Sequence, residues 1–219
     1  MLARPFDATV FDLDGTLVDT EALCNEAGVE ACANLGLPVS LAFFESLAGI
    51  DDRTRAQLIG EHLGATVELD AFLTEWDRLC SERFARGIPV KPGALDLLAR
   101  LSEAGLPLAC ATSSRRGPAE EKIEGAGLGP FFRTVVTFDD VAAPKPAPDP
   151  YLLACQRLGA APGRSVAFED SETGARSAQA AGLTVVQVPD LHATQGAHAH
   201  HVARSLLDGA RAAGLLAEA

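Results

Sequence analysis

Outside residues 20–88 the chain alternates short apolar runs with stretches of helical spacing. The apolar runs fall at residues 8–13, 106–112, 134–138, 165–169 and 184–188, and helix-patterned segments lie at 93–103, 117–125, 150–158 and 173–181. Runs this short and this uniformly apolar suit strands buried on both faces. Parallel neighbours need a crossover between them, and a helix supplies it. Gly105, Gly127, Gly159 and Gly182 come between a helix and the next run, where a left-handed residue can end a helix. The pattern predicts an α/β fold with a doubly wound parallel sheet.

Residues 20–88 break the alternation. Helical spacing recurs at 21–35, 41–47, 53–63 and 70–84, with Phe72, Leu73, Trp76, Leu79 and Phe84 at helical intervals and no strand signal between them. An all-helical insert after the first strand predicts two bodies: a core of 1–19 with 89–219, and an inserted subdomain of 20–88. Ligands of open α/β sheets bind beyond the carboxyl ends of the strands, and the insert is expected over that edge.

Composition removes several classes of function. Thirty acidic side chains against 18 basic ones, a formal net charge of −12, leave no basic stripe for nucleic acid. No apolar run is long enough to span a membrane, and the first ten residues lack the apolar centre of a signal peptide, so a cytoplasmic protein is expected. The five cysteines (Cys24, Cys32, Cys80, Cys110, Cys155) form no CxxC pair and read as reduced thiols. Oligomeric state has no signature here.

The chemistry is concentrated at strand ends. The first run ends in Asp12-Leu13-Asp14-Gly15-Thr16, the second in Thr112-Ser113-Ser114, and the fourth in Glu169-Asp170. Lys145 lies among prolines in "APKPAPDP" before a helix. Parallel strands put their carboxyl ends on one edge, so Asp12, Asp14, Thr112, Lys145 and Asp170 can converge there. Clustered like charges repel, and a cation would offset them. Hard oxygen donors suit Mg²⁺, completed by water and a substrate phosphate.

In order, Asp12-Leu13-Asp14-Gly15-Thr16-Leu17-Val18-Asp19, Thr112, Lys145 and Glu169-Asp170 resemble the four motifs of the haloacid dehalogenase superfamily, over about residues 6–189. The helical insert resembles that of the subgroup holding phosphoglycolate phosphatase and β-phosphoglucomutase. The resemblance implies a Rossmann-like core and a Mg²⁺-dependent phosphatase acting on a small phosphorylated metabolite, such as a sugar phosphate. It further implies that Asp12 is the nucleophile and forms an aspartyl-phosphate, and that Asp14 is the general acid and base. Thr112 and the amide of Ser113 would bind the transferring phosphoryl group, which Lys145 would also meet while orienting Asp12. Asp12, the carbonyl of Asp14 and Asp170 would hold the metal, with Glu169 either a further ligand or a support behind them.

Other readings are weaker. A dehalogenase would lack Asp14, a phosphonate hydrolase of this family needs a lysine that residues 20–88 do not contain, and a non-catalytic relative should have lost a motif side chain. The alternative is a mutase of the β-phosphoglucomutase type. That enzyme carries a gating histidine twelve residues after its nucleophile, where this chain has Cys24 followed by Asn25. Its basic residue for the distal phosphate falls near Asp52, beside Arg53. Away from the motifs, Asp19 is expected to order its turn and Phe72 and Trp76 to pack. Asp51 and Asp52, after Gly49, read as a helix cap, and the histidines of loop 192–201 as solvated.

Overall fold

The computed structural model describes residues 6–47, 50–190 and 194–217, and it divides into two compact units, Met1–Asp19 with Pro89–Ala219, and Thr20–Ile88. Among the described residues the first unit carries a six-stranded sheet. Its strands are β1 (Ala8–Phe11), β2 (Leu108–Ala111), β3 (Thr134–Val136), β4 (Ser165–Glu169), β5 (Thr184–Gln187) and β6 (His201–Val202). They lie side by side in the order β3-β2-β1-β4-β5-β6, every pair parallel.

Chain order reverses at β1, which has β2 on one side and β4 on the other. Phe11 is in register with Cys110 and with Phe168. An edge where the winding direction reverses is where such sheets open a crevice. Every residue of β1, β2 and β4 is buried, which is why these strands read as continuous apolar runs.

The period of two along each strand separates the sheet's faces. Val10, Ala109, Ala111, Ala167 and Val185 join a core with Tyr151, Ala154, Ala175 and Ala178. Those last four lie on α7 (Asp149–Leu158) and α8 (Glu172–Ala180), where the three alanines let the helices approach the sheet closely while Tyr151 fills the space between. Phe11 and Phe168, from alternate positions, stack with ring centroids 4.9 Å apart. Gly209 of α9 (Leu206–Ala212) lies against Val186 and Phe168. Helix α5 (Ala94–Glu103) touches both β2 and α9, and α6 (Arg116–Gly125) follows β2.

The second unit contains α1 (Glu21–Asn34), α2 (Leu41–Glu45), α3 (Asp52–Leu63) and α4 (Leu69–Phe84). Ala27, Ala31, Phe44, Ile59, Phe72 and Leu79 form its centre. Trp76 packs edge-on to Phe44 at 5.4 Å, and its indole N–H donates to the Cys24 carbonyl at 2.7 Å. The Arg55 guanidinium lies 4.7 Å from the Trp76 ring centroid. Phe72 and Trp76 are therefore packing residues. Asp51 is the cap of α3, its carboxylate accepting from the Thr54 amide at 3.0 Å. Gly49, by contrast, lies outside the described residues.

The strands are shorter than expected: 106–112 becomes Leu108–Ala111, and 134–138 becomes Thr134–Val136 followed by a single 3-10 turn. The four glycines between helix and strand do take positive φ, from 68 to 87°. Strand β6 and helix α9 were absent from the sequence expectation. The histidine loop is also a correction, because it is engaged as well as solvated. The His200 ring nitrogen accepts from the Val185 amide at 3.0 Å, His198 meets Gln179 at 2.8 Å, and His201 begins β6. His192 falls outside the described residues. All five cysteines are free thiols, and no described helix is long and apolar enough to cross a membrane.

Candidate active site

β1 delivers Asp12 to the reversal point. Its amide donates to the Phe168 carbonyl of β4 at 2.9 Å, so the sheet ladder runs one residue past the strand and fixes where the carboxylate emerges. The chain then folds back on itself. Leu17 and Val18 both donate to the Leu13 carbonyl, and Gly15 donates to Val18. Gly15 has φ +79°, a conformation open to glycine at little cost. A Cβ there would stand 2.3 Å from an Asp170 carboxylate oxygen, so this turn lies directly against the end of β4. Asp19 donates its amide to the Pro89 carbonyl and pairs loosely with Lys91 at 3.7 Å, which ties the end of the turn to residues 89–91.

The loop before α7 supplies Lys145, which follows β3 and precedes Pro146. Its ammonium donates to Asp12 at 2.7 Å and to Glu169 Oε1 at 2.6 Å. Tyr151 of α7 donates its hydroxyl to the same Oε1 at 2.5 Å, and Ser171 reaches Oε2 at 3.3 Å. Glu169 is thus enclosed by a lysine, a tyrosine and a serine, and packs head-on against Gly174 of α8. One oxygen from each of Asp12, Glu169 and Asp170 lies within 4.8 Å of the other two.

Burial and mutual repulsion leave their mark on these groups. Loss of hydration, followed by the neighbouring charges of Glu169 and Asp14, raises the Asp12 carboxyl to about 7 even though Lys145 opposes the rise. Asp170 is pushed to about 8 by burial, then by Asp12 and Glu169. For Lys145 burial alone would lower the pKa, but the Asp12 and Glu169 charges outweigh it and hold the ammonium above its ordinary value. Burial next to Glu169 keeps Tyr151 protonated far above its usual range. A buried cluster with three carboxylates and one ammonium lacks positive charge, and its donors are all hard oxygens. Both properties fit Mg²⁺.

Thr112 directly follows β2. Its amide continues the ladder to Val136 at 2.9 Å, and its hydroxyl accepts from the Ser114 amide at 3.0 Å, which ties down the turn that also contains Ser113. Ser114 donates to Asp14 Oδ2 at 2.8 Å, joining the β2 loop to the β1 loop. The seven residues singled out from sequence (Asp12, Asp14, Thr112, Ser113, Lys145, Glu169, Asp170) therefore all lie at one sheet edge, Glu169 as the last residue of β4 and the others on the loops.

Sequence reading missed the places of Lys122, Tyr151 and Asp190 at this edge. Lys122 of α6 meets Asp14 Oδ1 at 2.6 Å, Tyr151 buttresses Glu169, and Asp190 pairs with Lys91 at 2.5 Å while lying close to Gly15. The rarity of lysine, three in the chain, was a usable signal, since each of the three contacts a carboxylate of this edge.

A parallel sheet reversing at β1 thus carries a lysine-bridged acidic cluster at its carboxyl edge. The profile of the haloacid dehalogenase-like hydrolases matches residues 9–188, and the chain belongs to that family. Among curated relatives, a phosphorylated carbohydrates phosphatase of Thermotoga maritima is 30% identical, over 81% of this chain and 82% of that protein. Fructose-1-phosphate phosphatase YqaB of Escherichia coli is 33% identical, over 82% and 94%. The crystal structure of a CbbY variant from Rhodobacter sphaeroides in complex with xylulose-(1,5)bisphosphate superposes with a TM-score of 0.79. It is 29% identical and covers 91% of this chain and 94% of that one.

Proposed function

We propose that this hydrolase is a Mg²⁺-dependent phosphatase of small phosphorylated carbohydrates, working through an aspartyl-phosphate on Asp12. Phosphoric monoester hydrolysis follows from membership of the family and from relatives that are named phosphatases. The carbohydrate class is taken from those relatives and from the bisphosphate complex. The observation that carries the mechanism is the bridge from Lys145 to both Asp12 and Glu169, because it ties down the buried Asp12 carboxylate at the reversal point.

Asp12, the Asp14 carbonyl and Asp170 would hold the metal. Glu169 Oε1 is already engaged by Lys145 and Tyr151, which leaves its other oxygen as a ligand or the whole group as an anchor for Lys145. Mg²⁺, when bound, would offset the charge of the clustered carboxylates and of the phosphoryl oxygens. Asp12 attacks phosphorus, and the bond to the sugar oxygen breaks while Asp14 gives that oxygen a proton. Thr112, the Ser113 amide and Lys145 take the charge of the transferring group. Asp14, now a carboxylate, removes a proton from the water that attacks the aspartyl-phosphate. Phosphate leaves and Asp12 is regenerated.

The test is phosphate release across a panel of sugar phosphates and phosphorylated hydroxy acids, with and without Mg²⁺. A parallel coupled assay follows interconversion of β-glucose 1-phosphate and glucose 6-phosphate. Release that needs Mg²⁺ and outpaces interconversion is expected. Interconversion much faster than release would make the protein a mutase instead.

A further inference from the structure

The two oxygens of Asp14 are held by different donors. Lys122 Nζ lies 2.6 Å from Oδ1, the Ser114 hydroxyl donates to Oδ2 at 2.8 Å, and Lys122 and Ser114 are themselves 3.1 Å apart. Lys122 stands on α6, a rigid element, with its side chain buried although its head is charged. Ser114 sits in the turn that the Thr112 hydroxyl fixes. Asp14 itself is half-exposed, on the turn that contains Gly15. Two donors, one on each oxygen, fix both torsions of a short carboxylate side chain that the turn alone would leave mobile.

We propose that Lys122, acting with Ser114, is the positioning residue for Asp14. The proposal rests on the phosphatase reading, in which Asp14 passes a proton to the sugar oxygen and later takes one from water. A group that works in both directions needs a fixed place more than a fixed charge. The serine hydroxyl can donate or accept, so it can stay bonded to Asp14 in either protonation state. Lys122 supplies the rigid half of the clamp.

Acid assistance matters most when the leaving oxygen is a poor leaving group, and least when it is the anion of a strongly acidic phenol. That contrast separates a positioning role from a structural one. Lys122→Met keeps the length and packing of the stem and removes the ammonium. For a sugar phosphate, kcat/KM should fall roughly 10- to 100-fold, the scale of a misplaced catalytic group. For 2,4-dinitrophenyl phosphate, which needs no acid, kcat/KM should stay within about 3-fold of wild type. Ser114→Ala, which leaves Lys122 in place, should show the same contrast at smaller size, and it keeps the test open if Lys122→Met does not fold. Equal losses on both esters, or no loss on either, would overturn the positioning role. A wild-type protein that hydrolyses neither ester would instead remove the phosphatase reading on which the role depends.

Discussion

Gly174 occupies the third position of α8, where helix propensity alone predicts that alanine stabilises by about 1 kcal/mol. The structure reverses that sign. A Cβ on Gly174 would stand 2.0 Å from the carboxyl carbon and from both oxygens of Glu169, which is almost fully buried. Ordinary contact begins at 3.4 Å, so the carboxylate would have to retreat by well over an ångström. Lys145 and Tyr151 hold it at 2.6 and 2.5 Å, and neither bond survives such a shift.

Overpacking costs about 1–3 kcal/mol. Disrupting a buried charge pair adds up to about 3–5 kcal/mol when the break is complete. With partial relaxation, and after subtracting the helix gain, Gly174→Ala should destabilise the protein by about 3 kcal/mol. For a chain of this size that is a fall of roughly 6–12 °C in Tm. Gly117 of α6 is the control, since a Cβ there meets nothing within 4 Å and its substitution by alanine should be neutral or mildly stabilising. Thermal melts of both variants beside wild type decide the matter. If Gly174→Ala melts at or above wild type, Glu169 does not hold the lysine bridge as described.

The raised carboxyls of Asp12 and Asp170, at about 7 and about 8, predict a pH dependence. Between the ordinary carboxylate range and these values the folded state holds protons that the unfolded state has lost. In EDTA their contribution to stability should therefore fall as pH rises from about 4 to about 8. Added Mg²⁺ should raise Tm more at pH 8 than at pH 5, and a Tm gain that grew toward acid pH would contradict this. In the helical unit, Arg55→Met removes the guanidinium from the Trp76 face, an interaction worth about 1 kcal/mol. Trp76 is the chain's one tryptophan, so its fluorescence should report an earlier unfolding midpoint for that unit, and an unchanged midpoint would argue against the stack.

The sequence carried the parts of this protein that depend on local pattern. Strands buried on both faces declare themselves as apolar runs, and the acidic residues stood out because they interrupt those runs at their ends. The division at Asp19 and Pro89 matches a change from mixed to purely helical periodicity. What stayed hidden depends on distance in space. Lys122 is one charged residue on a charged helix until α6 is set beside the β1 turn, 108 residues earlier in the chain. Tyr151 reads as a core aromatic, because nothing local says its hydroxyl will find Glu169. Strand β6 has only two residues and follows a polar loop, too short for any alternation to register. Helix α9 did leave a trace: Ser205 caps it by accepting from the Asp208 amide at 3.1 Å, a serine-to-acid spacing of three that encloses the apolar pair Leu206-Leu207.

The central claim is that Asp12 becomes phosphorylated. Rapid acid quench during turnover of a ³²P-labelled sugar phosphate, followed by peptide mapping, tests it directly. Label should appear on the Asp12 peptide within the first turnover, be released by hydroxylamine, and be absent from Asp12→Asn, which should also lose turnover. Full turnover by Asp12→Asn, or steady hydrolysis by wild type with label on another residue, would contradict the account.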